Sequence, residues 1–165
     1  MANGRVITFK QAADLWTVLP EKLAVNLLNF EVSAAKALKR TFQESFYLHR
    51  FNASGQAAWK PHSSKWVESR GYTPHELLYE TGNLKRSITY DVSGSSSSVR
   101  SISVYSNPDS LASSRRQYGR NFYYAAVHNF GTDSIPQRQF IGYSDVAISR
   151  IDALARRYIF DGFPK

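Results

Sequence analysis

The residues of this chain that are the best candidates for catalysis lie in one stretch near its C-terminal end. The segment YYAAVHNFGTDSIPQRQFIGYS, residues 123–144, contains His128 and Arg138 among aromatic and apolar side chains. A histidine can act as a general base near neutral pH. The stretch is therefore either the core of an active site or a piece of scaffold. The rest of the sequence decides between the two.

A catalytic histidine needs a nucleophile or a substrate-activating partner, and the sequence offers none beside His128. The chain has no cysteine, so thiol nucleophiles, disulfides and thiolate metal sites are excluded. No serine lies in a Gly-x-Ser-x-Gly motif. The stretch ETGNL, residues 80–84, has one glycine and lacks the phosphate-binding pattern of a P-loop. We therefore predict no catalytic residue, and interpret His128 as a structural or interface histidine.

A metal site is also not predicted. The stretch HELLY, residues 75–79, begins like a zinc-protease motif, but that motif requires a second histidine four residues after the first. Tyr79 occupies this position. Glu76 and Glu80 are one helical turn apart and are typical of solvated carboxylates. We expect neither a metal nor a cofactor.

The charge of the chain favours acidic partners. Its 21 basic and 13 acidic side chains give a formal net charge of +8, which suits nucleic acid, anionic surfaces or acidic protein rings. One basic cluster is a candidate contact with an acidic partner or DNA and comprises Arg115, Arg116 and Arg120. A solvated loop is the favoured explanation of this cluster. No known nucleic-acid-binding motif is present, and no apolar run is long enough to predict a membrane span.

Apolar periodicity predicts two helices. After Pro20 the apolar residues recur every three or four positions as far as Phe46, which indicates a helix from about Pro20 to about His49. Residues 1–19 then form an N-terminal arm. The helix is long for a chain of this size, so part of its apolar face could serve a neighbouring subunit. A second helix is predicted from Ser144, a good N-cap residue.

Between the helices the pattern alternates as in strands. SITYDV (residues 87–92) and SISVYS (residues 101–106) predict a hairpin joined by a serine-rich loop. Further strands are predicted at residues 122–128 and 137–142, with Val127 and Ile141 on neighbouring strands. These elements predict one α+β domain over residues 1–165, in which the N-terminal and C-terminal helices pack on an antiparallel β-sheet.

Residues 50–75 predict a long irregular loop. Glycine, serine and proline interrupt this segment, yet it carries Trp59 and Trp66, which disordered tracts usually lack. We expect the loop from Arg50 to Tyr72 to be poorly ordered in the free subunit and fixed by a neighbouring one. The alternative is that both tryptophans pack on their own domain.

Three landmarks in order resemble the phage virion morphogenesis family, the Mu-type tail-completion proteins. The first is GQAAWKP, residues 55–61, and the second is LLYETGNLKRSI, residues 77–88. The third is the opening stretch, in which tyrosine–alanine precedes a His-x-x-Gly turn and then IPQRQFIG, residues 135–142. The resemblance covers roughly residues 40–160.

The resemblance implies a structural virion protein and not an enzyme. Such a protein would form a ring, a hexamer or a dodecamer, at the head–tail junction or the tail terminus. It would be assembled in the host cytoplasm. Its partners would be other copies of itself, neighbouring neck and tail-tube or portal-adaptor proteins, and, in passing, genomic DNA; no membrane is involved. The alternatives are a basic nucleic-acid-binding module and, more remotely, a small hydrolase.

The motif residues would then have structural or interface roles. Among them we expect Thr81, Gly82, Gly131 and Pro136 to shape turns, with Gly131 at positive φ. The full set is Trp59, Pro61, Trp66, Thr81, Gly82, Leu84, His128, Phe130, Gly131, Pro136, Arg138 and Phe140.

Overall fold

Seven helices and strands make up the described part of the chain. The computed structural model describes residues 8–70, 77–78, 82–94, 100–107 and 124–159. In chain order the elements are α1 (Phe9–Leu48), α2 (Ser64–Arg70), α3 (Asn83–Ser87), β1 (Ile88–Ser93), β2 (Ser101–Ser106), α4 (Tyr124–Phe130) and α5 (Asp145–Ile159). The long first helix, the C-terminal helix and the antiparallel strand pair confirm the α+β class. Within the described residues, no helix has the length and apolarity that a membrane crossing requires.

Helix α1 is longer than its sequence pattern predicts. It begins at Phe9 rather than at Pro20, so the predicted arm is helical from Phe9 onward. Pro20 lies inside the helix, where it removes one backbone hydrogen bond without ending the helix. The second half of α1 provides the buried face, which includes Ala34, Phe42 and Phe46.

Helix α5 runs antiparallel to α1. Near the start of α5, Nη1 of Arg150 donates to Oγ1 of Thr41 at 2.8 Å and to Oε2 of Glu44 at 2.7 Å. At its end, the carbonyl of Ile159 accepts a hydrogen bond from Nδ2 of Asn26 at 3.2 Å. The two ends of α5 are thus bonded to two points far apart on α1, and the helix pair forms one layer.

The predicted N-cap of α5 is confirmed. Oγ of Ser144 accepts a hydrogen bond from the backbone N–H of Ala147 at 3.1 Å, as an N-cap residue should. The same hydroxyl donates to the carbonyl of Asn52 at 2.5 Å. Ser144 is buried, so this cap also joins α5 to the segment that follows α1.

The hairpin is the whole sheet of the described residues, and it packs on α1. Strands β1 and β2 pair antiparallel, with Ile88 opposite Ser106 and Tyr90 opposite Val104. Ile88 is fully buried, and Val104 packs against the core. The predicted hairpin is confirmed, and its apolar alternation gives it one face toward the core.

Two predicted strands are wrong. Residues 124–130 form helix α4 and not a strand, since Ala125 and Ala126 favour a helix and Gly131 then ends it. Residues 137–142 form no strand either. Their backbone groups bond to side chains and to the end of α4 instead, and so Val127 and Ile141 do not lie on neighbouring strands.

The described part of the predicted loop, residues 50–70, is more ordered than predicted. It contains helix α2, and Trp59 is a member of the main core of this same chain, 7% exposed. The expectation that a neighbouring subunit fixes the segment is therefore wrong for Trp59. The core consists of Phe42, Phe46, Phe51, Trp59, Leu77, Leu78, Leu84, Ile88 and Phe140.

Candidate functional site

Two of the three sequence landmarks meet in space and form a clamp, by which we mean residues 59–61 together with residues 138–140. Nε of Arg138 donates to the carbonyl of Lys60 at 3.0 Å, and its Nη2 donates to the carbonyl of Pro61 at 3.3 Å. In the opposite direction, Nε1 of Trp59 donates to the carbonyl of Gln139 at 2.9 Å. Each segment thus gives a side-chain donor to the backbone of the other.

The clamp is sealed by aromatic packing. The ring of Trp59 meets Phe46 edge-on with centroids 5.7 Å apart, and Phe46 lies 5.3 Å from the ring of Phe140. Such tilted pairs add to the free energy of burying the rings. The backbone N–H of Trp59 also donates to the carbonyl of His49 at 2.6 Å. The clamp is therefore anchored on the end of α1.

Arg138 is committed to this scaffold. Its side chain is 3% exposed, and the guanidinium donates to two backbone carbonyls. Burial lowers the pKa of Arg138 from its usual value, yet an arginine stays charged in proteins. A buried cation held by carbonyl oxygens fits the fixing of a turn better than the binding of a ligand.

Asn129 holds the other side of the same stretch and was missed by the sequence reasoning. Its Oδ1 accepts hydrogen bonds from the backbone N–H groups of Phe140 and Ile141, each at 2.9 Å. Its carbonyl accepts a third bond from Nε2 of Gln137 at 3.1 Å. The sequence could have indicated this role, because an asparagine close to a glycine turn readily bonds to backbone groups through its side chain.

Gly131 adopts the predicted positive φ, at 76°, where helix α4 ends. Its N–H donates to the carbonyl of Val127 at 2.8 Å. The following turn is closed by the N–H of Thr132, which donates to the carbonyl of Ile135 at 2.8 Å. Pro136 comes directly after this bond and is half-buried. Both residues therefore lie in the turn that carries the chain from α4 to Arg138.

His128 is a neutral histidine without an orienting partner. Burial first, then the charge of Arg138 and then His62, lower the pKa of His128 to about 4. Its Nδ1 is buried and makes no hydrogen bond to any described residue. The ring packs edge-on against Tyr124 at 4.5 Å between centroids. A catalytic histidine is held by an acceptor at this nitrogen, and within the described residues none is present.

Replacing His128 with phenylalanine should change how stability depends on pH. The free histidine has a pKa near 6.5, and the folded one about 4. Between these values only the unfolded chain takes up the proton, so the free energy of unfolding falls by about 1.4 kcal/mol for each pH unit lost. Phenylalanine keeps the aromatic contact and removes the titration. At pH 5 we expect the variant to lose about 2 kcal/mol less stability, relative to pH 7.5, than the wild type loses.

Urea denaturation at pH 7.5 and pH 5 measures this effect. The wild type measured under the same two conditions is the reference. If His128→Phe shows the same pH dependence as the wild type, protonation of His128 does not lower the free energy of unfolding, and the prediction is wrong.

The remaining predicted residues lie apart from the clamp or outside the described residues. Gly82 precedes α3 with φ at 67°, and Leu84 is buried in the core. Trp66 is half-buried, and its ring stacks on that of His62 at 4.0 Å. Phe130 is 73% exposed. Thr81, Glu76, Glu80 and the basic cluster Arg115, Arg116 and Arg120 lie outside the described residues.

Within the described ranges, no three histidine or acidic side chains converge in a way that could hold a metal ion. The polar side chains of the clamp also hold the fold together, because Trp59 and Arg138 donate to backbone carbonyls of the chain. What the arrangement can do is fix two loop segments on the end of α1 and the start of α5.

Comparison with known proteins identifies the family. No curated protein and no solved structure matches this chain. The model of the phage virion morphogenesis family matches residues 22–159, which include most of α1, the hairpin, the clamp and α5. The family has a structural role in the virion and its assembly rather than an enzymatic one. The chain belongs to the phage virion morphogenesis family.

Proposed function

We propose that this protein is a ring-forming component of the phage neck, acting in tail completion at the head–tail junction or at the tail terminus. The observation that carries the proposal is the family match over residues 22–159. It extends over nearly all of the described fold, including both halves of the clamp.

The geometry of the clamp supports a structural role over a catalytic one. Arg138 and Trp59 are used in hydrogen bonds within the chain, and His128 is held neutral by burial. These groups stabilise a subunit and leave its outer surface for partners. That surface carries large apolar side chains, among them Phe130 and Tyr143, which are 73% and 80% exposed.

The proposed partners are further copies of the chain, as a hexamer or a dodecamer, with adjoining neck, tail-tube or portal-adaptor proteins. A contact in which one surface of a subunit binds a different surface of the next gives a closed ring when its rotation closes. The net charge of +8 suits acidic protein surfaces and passing contact with the genome.

Deleting the gene in a phage that encodes it tests this function. We expect lysates that contain filled heads and separate tails by electron microscopy, and few infectious particles. Supplying the wild-type protein in trans should restore joined particles. Normal numbers of joined, infectious particles without the protein would exclude the proposed role.

The alternative, a basic nucleic-acid-binding module, is favoured by the net charge and by the basic cluster Arg115, Arg116 and Arg120. It predicts that purified protein binds DNA with an affinity that falls steeply as salt increases, because bound counterions are released. Titration of labelled duplex DNA at two salt concentrations would detect this. Absence of binding at low salt would remove the alternative.

A further inference from the structure

The outer face of α1 carries an apolar stripe that the rest of the described chain leaves uncovered. The stripe consists of Val18, Val25, Leu28 and Val32, each between 44% and 55% exposed. At 100° per residue these four side chains fall within an arc of about 80° on the helix. Exposed valines and leucines arranged in one line indicate a contact surface better than scattered ones do.

Within the described residues, the N-terminal half of α1 buries few side chains against the rest of the chain. Among the side chains described from Thr17 to Val25, none is buried, and the first buried one is Asn26. Asn26 is also the residue that bonds to the end of α5. Ile159 is the last described residue of α5, so within the described residues the stripe begins on a part of α1 that lies N-terminal to its bond with α5.

The arc also carries opposite charges toward its two ends. Glu21 lies within the arc toward the N-terminal end, and Lys36 lies within it toward the C-terminal end. Both are exposed. Neither forms an ion pair with another described residue. Asp14 lies in the same arc further toward the N-terminus, and Lys10 lies in the arc beyond it.

This order is complementary to itself when a second copy lies antiparallel. If the two helices cross between positions 28 and 29, Glu21 of each copy faces Lys36 of the other. In the same alignment Val25 faces Val32 twice, and the two Leu28 side chains meet near the axis. A parallel pair would instead place Glu21 against Glu21 and Lys36 against Lys36, which is unfavourable.

We infer that two copies of this chain associate through the α1 stripe, in an antiparallel and two-fold symmetric pair. A two-fold contact uses the same surface on both subunits. Val25, Leu28 and Val32 meet that condition together with Glu21 and Lys36, while Val18 faces Lys39 at the edge of the contact. The inference goes beyond the proposed virion role because it concerns how two chains associate before they are assembled into a particle. It rests on the proposed function only for the ring, where such pairs would favour a dodecamer over a hexamer.

Sedimentation equilibrium of the purified full-length protein tests the pair. We expect a dimer for the wild type, and at least a tenfold weaker dimer for Val25→Glu. Ile148→Glu is the matched control, because Ile148 is 46% exposed but lies on α5, and it should leave the dimer unchanged. Both replaced side chains are exposed, so the fold should persist, and circular dichroism checks this.

Charge reversal tests the antiparallel alignment. Glu21→Lys alone and Lys36→Glu alone should each weaken the dimer, because each creates two like-charged contacts. The double variant Glu21→Lys/Lys36→Glu should restore it, because each opposite-charge contact forms again with its signs exchanged. Loss without restoration would contradict the alignment.

Single cysteines add a geometric test, since the chain has no native cysteine. Leu28→Cys should form a disulfide-linked dimer on mild oxidation. Val18→Cys should not, because antiparallel helices place the two copies of position 18 roughly 30 Å apart at 1.5 Å per residue. Linkage at both positions would indicate a parallel pair and would overturn the inference.

The failure of this inference can be told apart from that of the proposed function. A monomeric wild type, or a dimer insensitive to Val25→Glu, would show that something other than a second copy covers the stripe. That result would leave the deletion phenotype unaffected. A stripe-dependent dimer combined with normal particles in the deletion would instead remove the virion role alone.

Discussion

Replacing Gly131 with valine is expected to destabilise the protein by roughly 2–5 kcal/mol. The residue has φ at 76°, a conformation that costs a residue with a Cβ roughly 1–2 kcal/mol. A Cβ at this position would also lie 2.8 Å from the backbone nitrogen of Gln137, and forcing such a contact adds roughly 1–3 kcal/mol. A chain of this size should lose roughly 5–15 °C in its melting temperature.

Gly55 provides the control for this prediction. It has a similar φ of 70°, but a Cβ there would meet no atom within 4 Å. Gly55→Val should therefore show the backbone strain alone and cost roughly 1–2 kcal/mol. Equal losses at the two glycines would show that the close approach of residue 137 to the turn contributes nothing.

Replacing Trp59 with alanine is expected to cost about 3–5 kcal/mol, because a buried ring is removed from a packed core. Trp59 is 7% exposed, and its ring contacts Phe46. Trp59→Phe should keep most of the packing and lose the hydrogen bond to the carbonyl of Gln139, at a cost of about 1 kcal/mol. Urea denaturation of both variants measures the two contributions.

Trp66→Ala is the matched control, since Trp66 is half-buried and outside the core. Its loss should be smaller than that of Trp59→Ala by at least about 2 kcal/mol. The reverse order would contradict the assignment of Trp59 to the core of its own chain. It would instead favour the original expectation that this tryptophan docks on a neighbour.

The clamp also predicts that its two halves depend on each other. Arg138→Met removes the bonds to the carbonyls of Lys60 and Pro61 and should cost about 2–4 kcal/mol. In the double variant with Trp59→Phe, the combined loss should fall short of the sum by at least about 0.5 kcal/mol, as for residues in one network. Arg156→Met is a control in an exposed pair, which should change stability by less than about 1 kcal/mol.

The elements whose pattern is local were predicted from the sequence. The alternation of apolar residues indicated the hairpin, and Ser144 indicated the start of α5, because a cap acts within one turn. Helix α1 was predicted in type but not in its start. Pro20 indicated a first turn, whereas the flanking residues continue the helix through it.

The stretch from α4 to the clamp was not predictable from local pattern. Apolar and aromatic residues at 122–128 fit a strand as well as a short helix. The choice depends on the turn at Gly131 and on the hydrogen bonds of Asn129 to the backbone that follows it. Residues 137–142 resemble a strand, yet the N–H groups of Phe140 and Ile141 donate to Asn129 and that of Arg138 donates to the carbonyl of His128. Such partners cannot be read from alternation.

The residues of the site were singled out from the sequence, while their contacts were not. Trp59 and Arg138 both lay in the quoted landmarks, but the bond from Arg138 to Lys60 joins residues 78 positions apart. No spacing rule relates residues so distant in the chain. Sequence reasoning therefore indicated that these residues are structural without indicating that each holds the backbone of the other.

The most direct test of the virion role is quantitative mass spectrometry of purified, infectious particles of a phage that encodes this protein. The account predicts that the protein remains with the particles through density-gradient purification. It should be present at on the order of six or twelve copies for each virion, as expected for a symmetric ring. Finding the protein abundant in infected cells but absent from purified virions would contradict the account.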